Sequence, residues 1–260
     1  MQKERYGYED LLEIMKKLRS PGGCPWDSEQ DHESLKKYFI EETYEVLEAI
    51  DLKSSEKLCE ELGDVLLQVV FHARIAEENG QFTMEDVIDR VSKKMVHRHE
   101  HVFGQASAET ADDVIHLWED IKKKEKGIKS QTDVLKDVPS NLPALMRSYK
   151  VQEKAAKVGF DWDRVEDAWQ KVLEETEELH EACHSADREK MENEMGDLLF
   201  AVVNVARFLK IQPELALTGT INKFISRFEY IEEKSREMGR ELTDMTLQEM
   251  DALWNEAKQR

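Results

Sequence analysis

This sequence is short of the residues that punctuate sheets and loops: its 260 positions hold 5 prolines, 11 glycines and 8% aromatic residues. So small a supply of turn-formers and β-favouring rings argues against a sheet-rich fold. Cysteine is scarce as well. Cys24, Cys59 and Cys183 lie far apart and form no CxxC pair, which excludes a disulfide framework and a zinc motif and fits a reducing cytoplasm. No window reaches the 18 or so apolar residues of a membrane span, and the start, "MQKERYGYEDLLEIM", lacks the apolar core of a signal peptide. A soluble, cytoplasmic protein is expected. Basic charge is also in deficit, with 37 Lys and Arg against 56 Asp and Glu and a net charge of -19. Such a chain repels nucleic-acid backbones and anionic membranes, which need a basic footprint for counterion release. Phosphate-bearing ligands stay open if a divalent cation mediates.

What is present is helical periodicity. Apolar residues recur at three- and four-residue spacing, as in Leu62, Leu66, Val69, Val70 and Ala73, and no alternating strand pattern interrupts them. The reading is all-α, with helices near 8–19, 31–51, 55–79, 84–99, 111–125, 141–157, 164–184, 187–210, 213–238 and 246–258. The stretch "KGIKSQTDVLKDVPSNLP" has the composition of a connection between domains. It suggests an N-terminal domain at 1–128, a linker at 129–143 and a C-terminal domain at 144–260.

An internal repeat supports two domains. Residues 41–74 and 174–207 align without gaps at an offset of 133, with 16 of 34 positions identical. Glu42, Glu45, Glu61 and Asp64 recur as Glu175, Glu178, Glu194 and Asp197, and Gly63 recurs as Gly196. Further on, Lys94 and Arg98 share the four-residue spacing of Lys223 and Arg227, the intervening segment being four residues shorter in the second copy. Each copy thus carries ExxE on one helix and ExxD on the next. Residues three apart share a helix face, and a turn at "HSADRE" folds the second pair into an antiparallel hairpin. Four carboxylates then converge. They repel one another unless a cation, shared protons or distance relieves them, and a hard divalent ion such as Mg²⁺ suits an all-oxygen donor set. Gly63 and Gly196, unfavourable inside a helix by about 1 kcal/mol relative to alanine, suggest room for a close approach or a ligand. The competing reading is an ordinary solvated Glu-rich face, which suits Glu174 and Glu177 better than the four recurring acids.

The order of motifs, "LRSPGGCPWD", "EETYEVLEAI", "ELGDVLLQVVFHAR", "HEHVFG", "VGFDWD", "LEETEEL", "EMGDLLFAVVNVAR" and "NKFISRF", resembles the two-domain MazG family of all-α nucleoside triphosphate pyrophosphohydrolases over essentially the whole chain. The resemblance implies hydrolysis of nucleoside triphosphates between the α and β phosphates, giving monophosphate and pyrophosphate, with Mg²⁺ and a homodimeric assembly. It implies metal ligands at Glu175, Glu178, Glu194 and Asp197, with Glu175 or Glu178 as the base that activates water. Nucleotide contacts follow at Lys171, Val172, Leu173, Glu174 and Glu175, at Lys190, Met191, Glu192 and Asn193, at Lys223 and Arg227, and at Trp254 and Lys258. Spacing agrees for Lys223 and Arg227, which share one helix face suited to phosphate oxygens; an ion pair with Glu229 or Glu232 is the alternative. For Trp254 the alternative is a core aromatic. Family resemblance also implies that the second domain is the main catalytic one and the first builds the assembly. Glu42, Glu45, Glu61 and Asp64 form a possible second site, but the histidine-crowded "KKMVHRHEHVFG" departs from the family's Arg-Arg-His-Pro-His form, which argues against ligand binding there. "GGCPWD" lacks the lysine and preceding strand of a phosphate loop and reads as a turn entering a helix, with Trp26 as an anchor. Its counterpart Trp162 is a candidate wall of the nucleotide pocket.

Two other functions compete. A di-iron carboxylate bundle uses Glu-x-x-His, a spacing found in Glu177/His180 and Glu181/His184 but absent from the first copy. An acidic helical scaffold for basic partners would have no activity at all.

Overall fold

A computed structural model describes residues 3–125, 127, 129–185 and 187–259, leaving aside the side chains of 116, 120, 123 and 124. Ile128 at the expected domain boundary and Ala186 in the expected hairpin turn lie outside the described residues. Among the described residues the fold is helical without a strand. In chain order the helices are α1 (Tyr8–Arg19), α2 (Pro25–Glu29), α3 (Lys36–Asp51), α4 (Ser55–Glu78), α5 (Met84–Arg98), α6 (Glu100–Phe103), α7 (Ala111–Glu125), α8 (Gln131–Lys136), α9 (Ala144–Ala156), α10 (Val165–Ser185), α11 (Arg188–Phe208), α12 (Pro213–Glu237) and α13 (Leu247–Ala257), with a 3₁₀ turn at Leu242–Asp244.

The chain divides into two compact units, residues 1–122 and 123–260. In the first, α3 packs on α4 as a hairpin and α1 lies against α4. Met15, Leu35, Val70, Phe71 and Ile75 form its core. In the second, α10 packs on α11, with α9 against α11 and α12 against α13. Its hairpin core is built from smaller side chains, Ala168, Val172, Ala201 and Val205, while Ile231, Met245 and Leu253 form a separate cluster between α12 and α13.

Local sequence sets the helix starts. Thr83 with Asp86 and Thr246 with Glu249 close reciprocal capping boxes at α5 and α13. At α11 the Asp187 carboxylate accepts from the Lys190 backbone N–H at 3.2 Å, which fixes where the turns carrying Glu194 and Asp197 begin.

Two expectations change. The helix expected from residue 31 begins at Lys36, and "PWDSE" forms α2, started by Pro25 in the first turn. The segment read as a linker contains α8, capped by Ser130 and held by buried Val134 and Val138; Ser130, Pro139, Ser140 and Pro143 give it the look of a connection, but its few apolar residues decide its structure. The apolar run after Asp197 is partly interior: Ala201, Val203 and Val205 are buried, whereas Leu199, Phe200 and Val202 are each about half exposed.

Candidate active site

The hairpin of α10 and α11 gathers the second acidic set. Carboxylate oxygens of Glu175, Glu194 and Asp197 lie within 4.8 Å of one another, as do those of Glu174, Glu175 and Glu178. Glu175 is the hub and is only 5% exposed. Lys171, one turn earlier, bridges Glu175 at 2.6 Å and Glu174 at 2.7 Å. These two carboxylates raise the lysine's pKa, so it stays charged. Glu178 is pushed above the usual carboxylate range by burial, then by the charges of Glu175 and Glu194 and a hydrogen bond with Glu175. The donors are all hard oxygens in a site short of positive charge, a set that fits a hard divalent cation such as Mg²⁺. Among the described residues every metal-capable group consists of carboxylates alone. His180 and His184 stack edge to face at 4.5 Å and join none of them, which removes the basis for a di-iron reading.

The first copy repeats the geometry. Glu42, Glu45 and Glu61 bring oxygens within 4.8 Å. Glu42 is pushed upward by burial and by Asp64 and Glu45, and Glu61 by burial and Glu45. At Gly63 and Gly196 an added Cβ would meet nothing within 4 Å. Close approach within the chain is therefore not what the two glycines serve; they leave open space on the acidic helices.

Beside the second set is a cavity of about 390 Å³, to which Glu175, Asp197 and Lys171 contribute wall. Trp162 does so too, as its sequence position suggested, together with Phe160, Gln152 and Asn204. Trp26 instead packs against Tyr38 and Phe71, ring centroids at 5.9 and 6.5 Å, as an anchor does. In "GGCPWD", a Cβ at Gly23 would collide with the backbone oxygens of Lys17 and Leu18. The glycine there serves a tight turn.

Other expected contact residues are dispersed. Val172 is buried in the hairpin core and Leu173 is 60% exposed. Lys190, Met191, Glu192 and Asn193 lie in the first two turns of α11, where Glu192 pairs with Arg188 at 2.9 Å. Lys223 and Arg227 lie on α12, which packs chiefly on α13 and α9. Among the described residues neither forms an ion pair with Glu229 or Glu232; Glu232 pairs with Arg236 at 3.6 Å. The Arg227 guanidinium instead lies over Trp254, 5.4 Å from the ring centroid. Trp254 also meets Phe224 at 5.0 Å and packs against the α12–α13 cluster. Lys258 is exposed and donates to Asn255 Oδ1 at 3.0 Å. One feature escaped sequence reading: the Arg98 guanidinium lies 5.2 Å from the Trp118 ring centroid, so the basic pair with its tryptophan is duplicated along with the carboxylates. Unequal spacing of the two tryptophans from the repeat hid it.

Two helical hairpins, each with at least three carboxylates whose oxygens lie within 4.8 Å of one another, define an all-α protein with a duplicated acidic centre. The family model for the MazG nucleotide pyrophosphohydrolase domain matches residues 30–103 and 164–232, one segment on each hairpin. The chain is 47% identical over 251 residues to a protein of Thermotoga maritima named nucleoside triphosphate pyrophosphohydrolase/pyrophosphatase MazG, covering 96% of this chain and 95% of that one. It is 45% identical over 251 residues to the nucleoside triphosphate pyrophosphohydrolase of Escherichia coli K12, covering 95% of each. It is also 55% identical to the uncharacterized protein YabN of Bacillus subtilis, where 97% of this chain spans 52% of the relative. The chain belongs to the MazG family of nucleotide pyrophosphohydrolases and is an enzyme.

Proposed function

We propose that this enzyme is a Mg²⁺-dependent nucleoside triphosphate pyrophosphohydrolase that cleaves between the α and β phosphates, releasing a nucleoside monophosphate and pyrophosphate. The observation that carries the reading is the joint wall: Glu175 and Asp197, members of the tight carboxylate group, line the same cavity as Lys171. Glu175, Glu178, Glu194 and Asp197 would hold the ion. When bound, Mg²⁺ neutralises phosphate charge and acidifies water. Glu175 or Glu178 accepts the proton of the attacking water. Lys171 leaves its carboxylate partners for phosphate oxygens, and Lys223 and Arg227 offset charge growing on the pyrophosphate. The second unit is assigned the catalysis and the first the assembly.

We also propose a homodimer. Leu173, Leu199 and Val202 on the hairpin and Ile221, Phe224 and Ile225 on α12 are all between 45% and 60% exposed, a density of apolar surface that a second copy would cover. Lys223 and Arg227 lie beside this α12 stripe, so association would carry them into the interface. The three free cysteines and the lack, among the described residues, of a helix able to cross a membrane support a cytoplasmic setting.

The test is product analysis by phosphorus NMR with each ribo- and deoxyribonucleoside triphosphate, with Mg²⁺ and with chelator. The expected products are monophosphate and pyrophosphate, only with the metal. Diphosphate and orthophosphate would contradict the cleavage position, and turnover in chelator would contradict the metal.

A further inference from the structure

The segment between α9 and α10 supplies Phe160, Asp161 and Trp162 to the cavity wall, whereas the acids Glu175 and Asp197 and the base Lys171 stand on the α10–α11 hairpin. A cavity shared by a loop and a hairpin needs a device that fixes one against the other. Gly159 turns the chain at a φ of +82°, and the backbone N–H groups of Val158 and Phe160 donate to the Ala155 carbonyl at 3.2 and 3.3 Å. Those bonds run back to α9. The link to α11 is made by side chains, an ion pair between Arg207 and Asp161 whose two members are only 12% and 23% exposed. Arg207 is first held on its own helix: its Nε donates to Asn204 Oδ1 at 2.9 Å, and its guanidinium lies 4.6 Å from the Phe208 ring centroid. Asp161 Oδ1 then accepts both from Arg207 Nη2 and from the Trp162 backbone N–H, the latter at 2.9 Å. One carboxylate oxygen thus joins α11 to the backbone of the tryptophan.

The first copy holds its matching segment in another way. Aligning "GGCPWD" with "VGFDWD" on their tryptophans puts Pro25 where the second copy has Asp161, and proline has no carboxylate to offer. Arg74, the counterpart of Arg207 in the repeat, pairs along its own helix with Glu77 at 3.0 Å and Glu78 at 2.9 Å. The segment is tied from α1 instead, where Arg19 Nη1 donates to the backbone carbonyls of Asp27 and Gln30. The Arg207–Asp161 link therefore belongs to the second copy and was not inherited with the carboxylates.

We infer that Arg207 is a positioning residue for the hydrolysis: through Asp161 it holds residues 157–163, and Trp162 with them, against α11 as one wall of the active-site cavity. The inference rests on the pyrophosphohydrolase reading and adds a residue that acts through the loop rather than on the phosphates. A largely buried pair of this kind is sensitive to loss of either partner, because the remaining charge is left without its counterpart. Loss of Asp161 also takes away the acceptor of the Trp162 N–H, so both variants free the same segment.

The test labels the full-length protein with 5-fluorotryptophan and reads its five tryptophans by fluorine NMR, the Trp162 line being assigned with Trp162→Phe. Arg207→Gln and Asp161→Ala are each expected to move the Trp162 line while those of Trp26 and Trp118 hold. In initial rates with Mg²⁺ and nucleoside triphosphates, each variant should raise KM about tenfold and keep kcat within about threefold, because the carboxylates and Lys171 stay on their helices. The double variant should lose no more than Asp161→Ala, since two residues acting through one contact do not add, and Arg207→Lys, which keeps the charge, should recover part of the KM. An unmoved Trp162 line or an unchanged KM would overturn the inference. So would losses that add in the double variant, the mark of an arginine acting on the substrate directly, or equal movement of all five lines, the mark of a general loosening of the fold. Absence of turnover by the wild type would defeat the activity reading, while the Trp162 line still decides whether the pair holds the loop.

Discussion

The two hairpins share their acids and differ in what surrounds them. Glu42, Glu45, Glu61 and Asp64 are matched by Glu175, Glu178, Glu194 and Asp197, and each set brings at least three carboxylates within 4.8 Å. Next to the first set Phe71, Tyr38 and Trp26 pack together and Arg19 closes over them through Glu78 at 2.9 Å. Next to the second, Asn204 and Lys171 stand where the first copy has Phe71 and Tyr38, and a cavity of about 390 Å³ remains. The duplicated carboxylates thus have different neighbours: one copy packs aromatic side chains beside them, and the other leaves that cavity. What separates them is the filling beside the acids.

The largest expected effect on stability follows from that filling. Phe71→Ala should destabilise the first unit by about 3 kcal/mol, because a buried aromatic leaves a void that the surrounding helices do not close. Asn204→Ala, at the matching position, should cost about 1 kcal/mol for one hydrogen bond. Urea denaturation of both variants, with fluorescence and circular dichroism, checks the ratio; equal losses would break the comparison. Converting the second copy toward the first, Asn204→Phe should raise the KM for nucleoside triphosphates about tenfold, read from initial rates. Less sharply, Asp187→Ala removes the acceptor that caps α11 and should lower stability by about 1 kcal/mol in the same denaturation assay.

The smallest effect concerns pH. Glu249 is held down to about 2 by its Arg240 pair and by hydrogen bonds from Thr246. Its folded pKa is below the ordinary carboxylate value, so its contribution is complete above about pH 4.5 and is lost as pH falls toward 2. Glu249→Gln should flatten the pH dependence of the melting temperature across that window, and an unchanged slope would contradict the pairing.

Much of this was legible in the sequence because helical hairpins write themselves into periodicity. The all-α class and the convergence of ExxE with ExxD required only that residues three apart share a face and that the repeat conserve both pairs. The cavity was less legible. Trp162 could be singled out, but Gln152 and Asn204 carry no motif, and the place of Gln152 in the wall depends on the Phe200 carbonyl, a contact that arises only once α9 and α11 pack. The α8 helix was hidden by its shortness and by Pro139 and Pro143 just after it. The split burial after Asp197 was not legible, since an apolar run does not say which of its residues the neighbouring helices cover. For Lys223 and Arg227 the shared face could be read, whereas their placement beside Trp254 depended on how α12 meets α13.

The central claim is that the second carboxylate set works and the first does not. It is tested most directly by comparing kcat/KM for Glu175→Gln and Glu42→Gln in the full-length protein with Mg²⁺ and nucleoside triphosphates. Glu175→Gln should lose about a thousandfold, equivalent to ~4 kcal/mol of transition-state stabilisation, while Glu42→Gln remains within about threefold of the wild type. Comparable losses in both variants, or retained activity in Glu175→Gln, would contradict it.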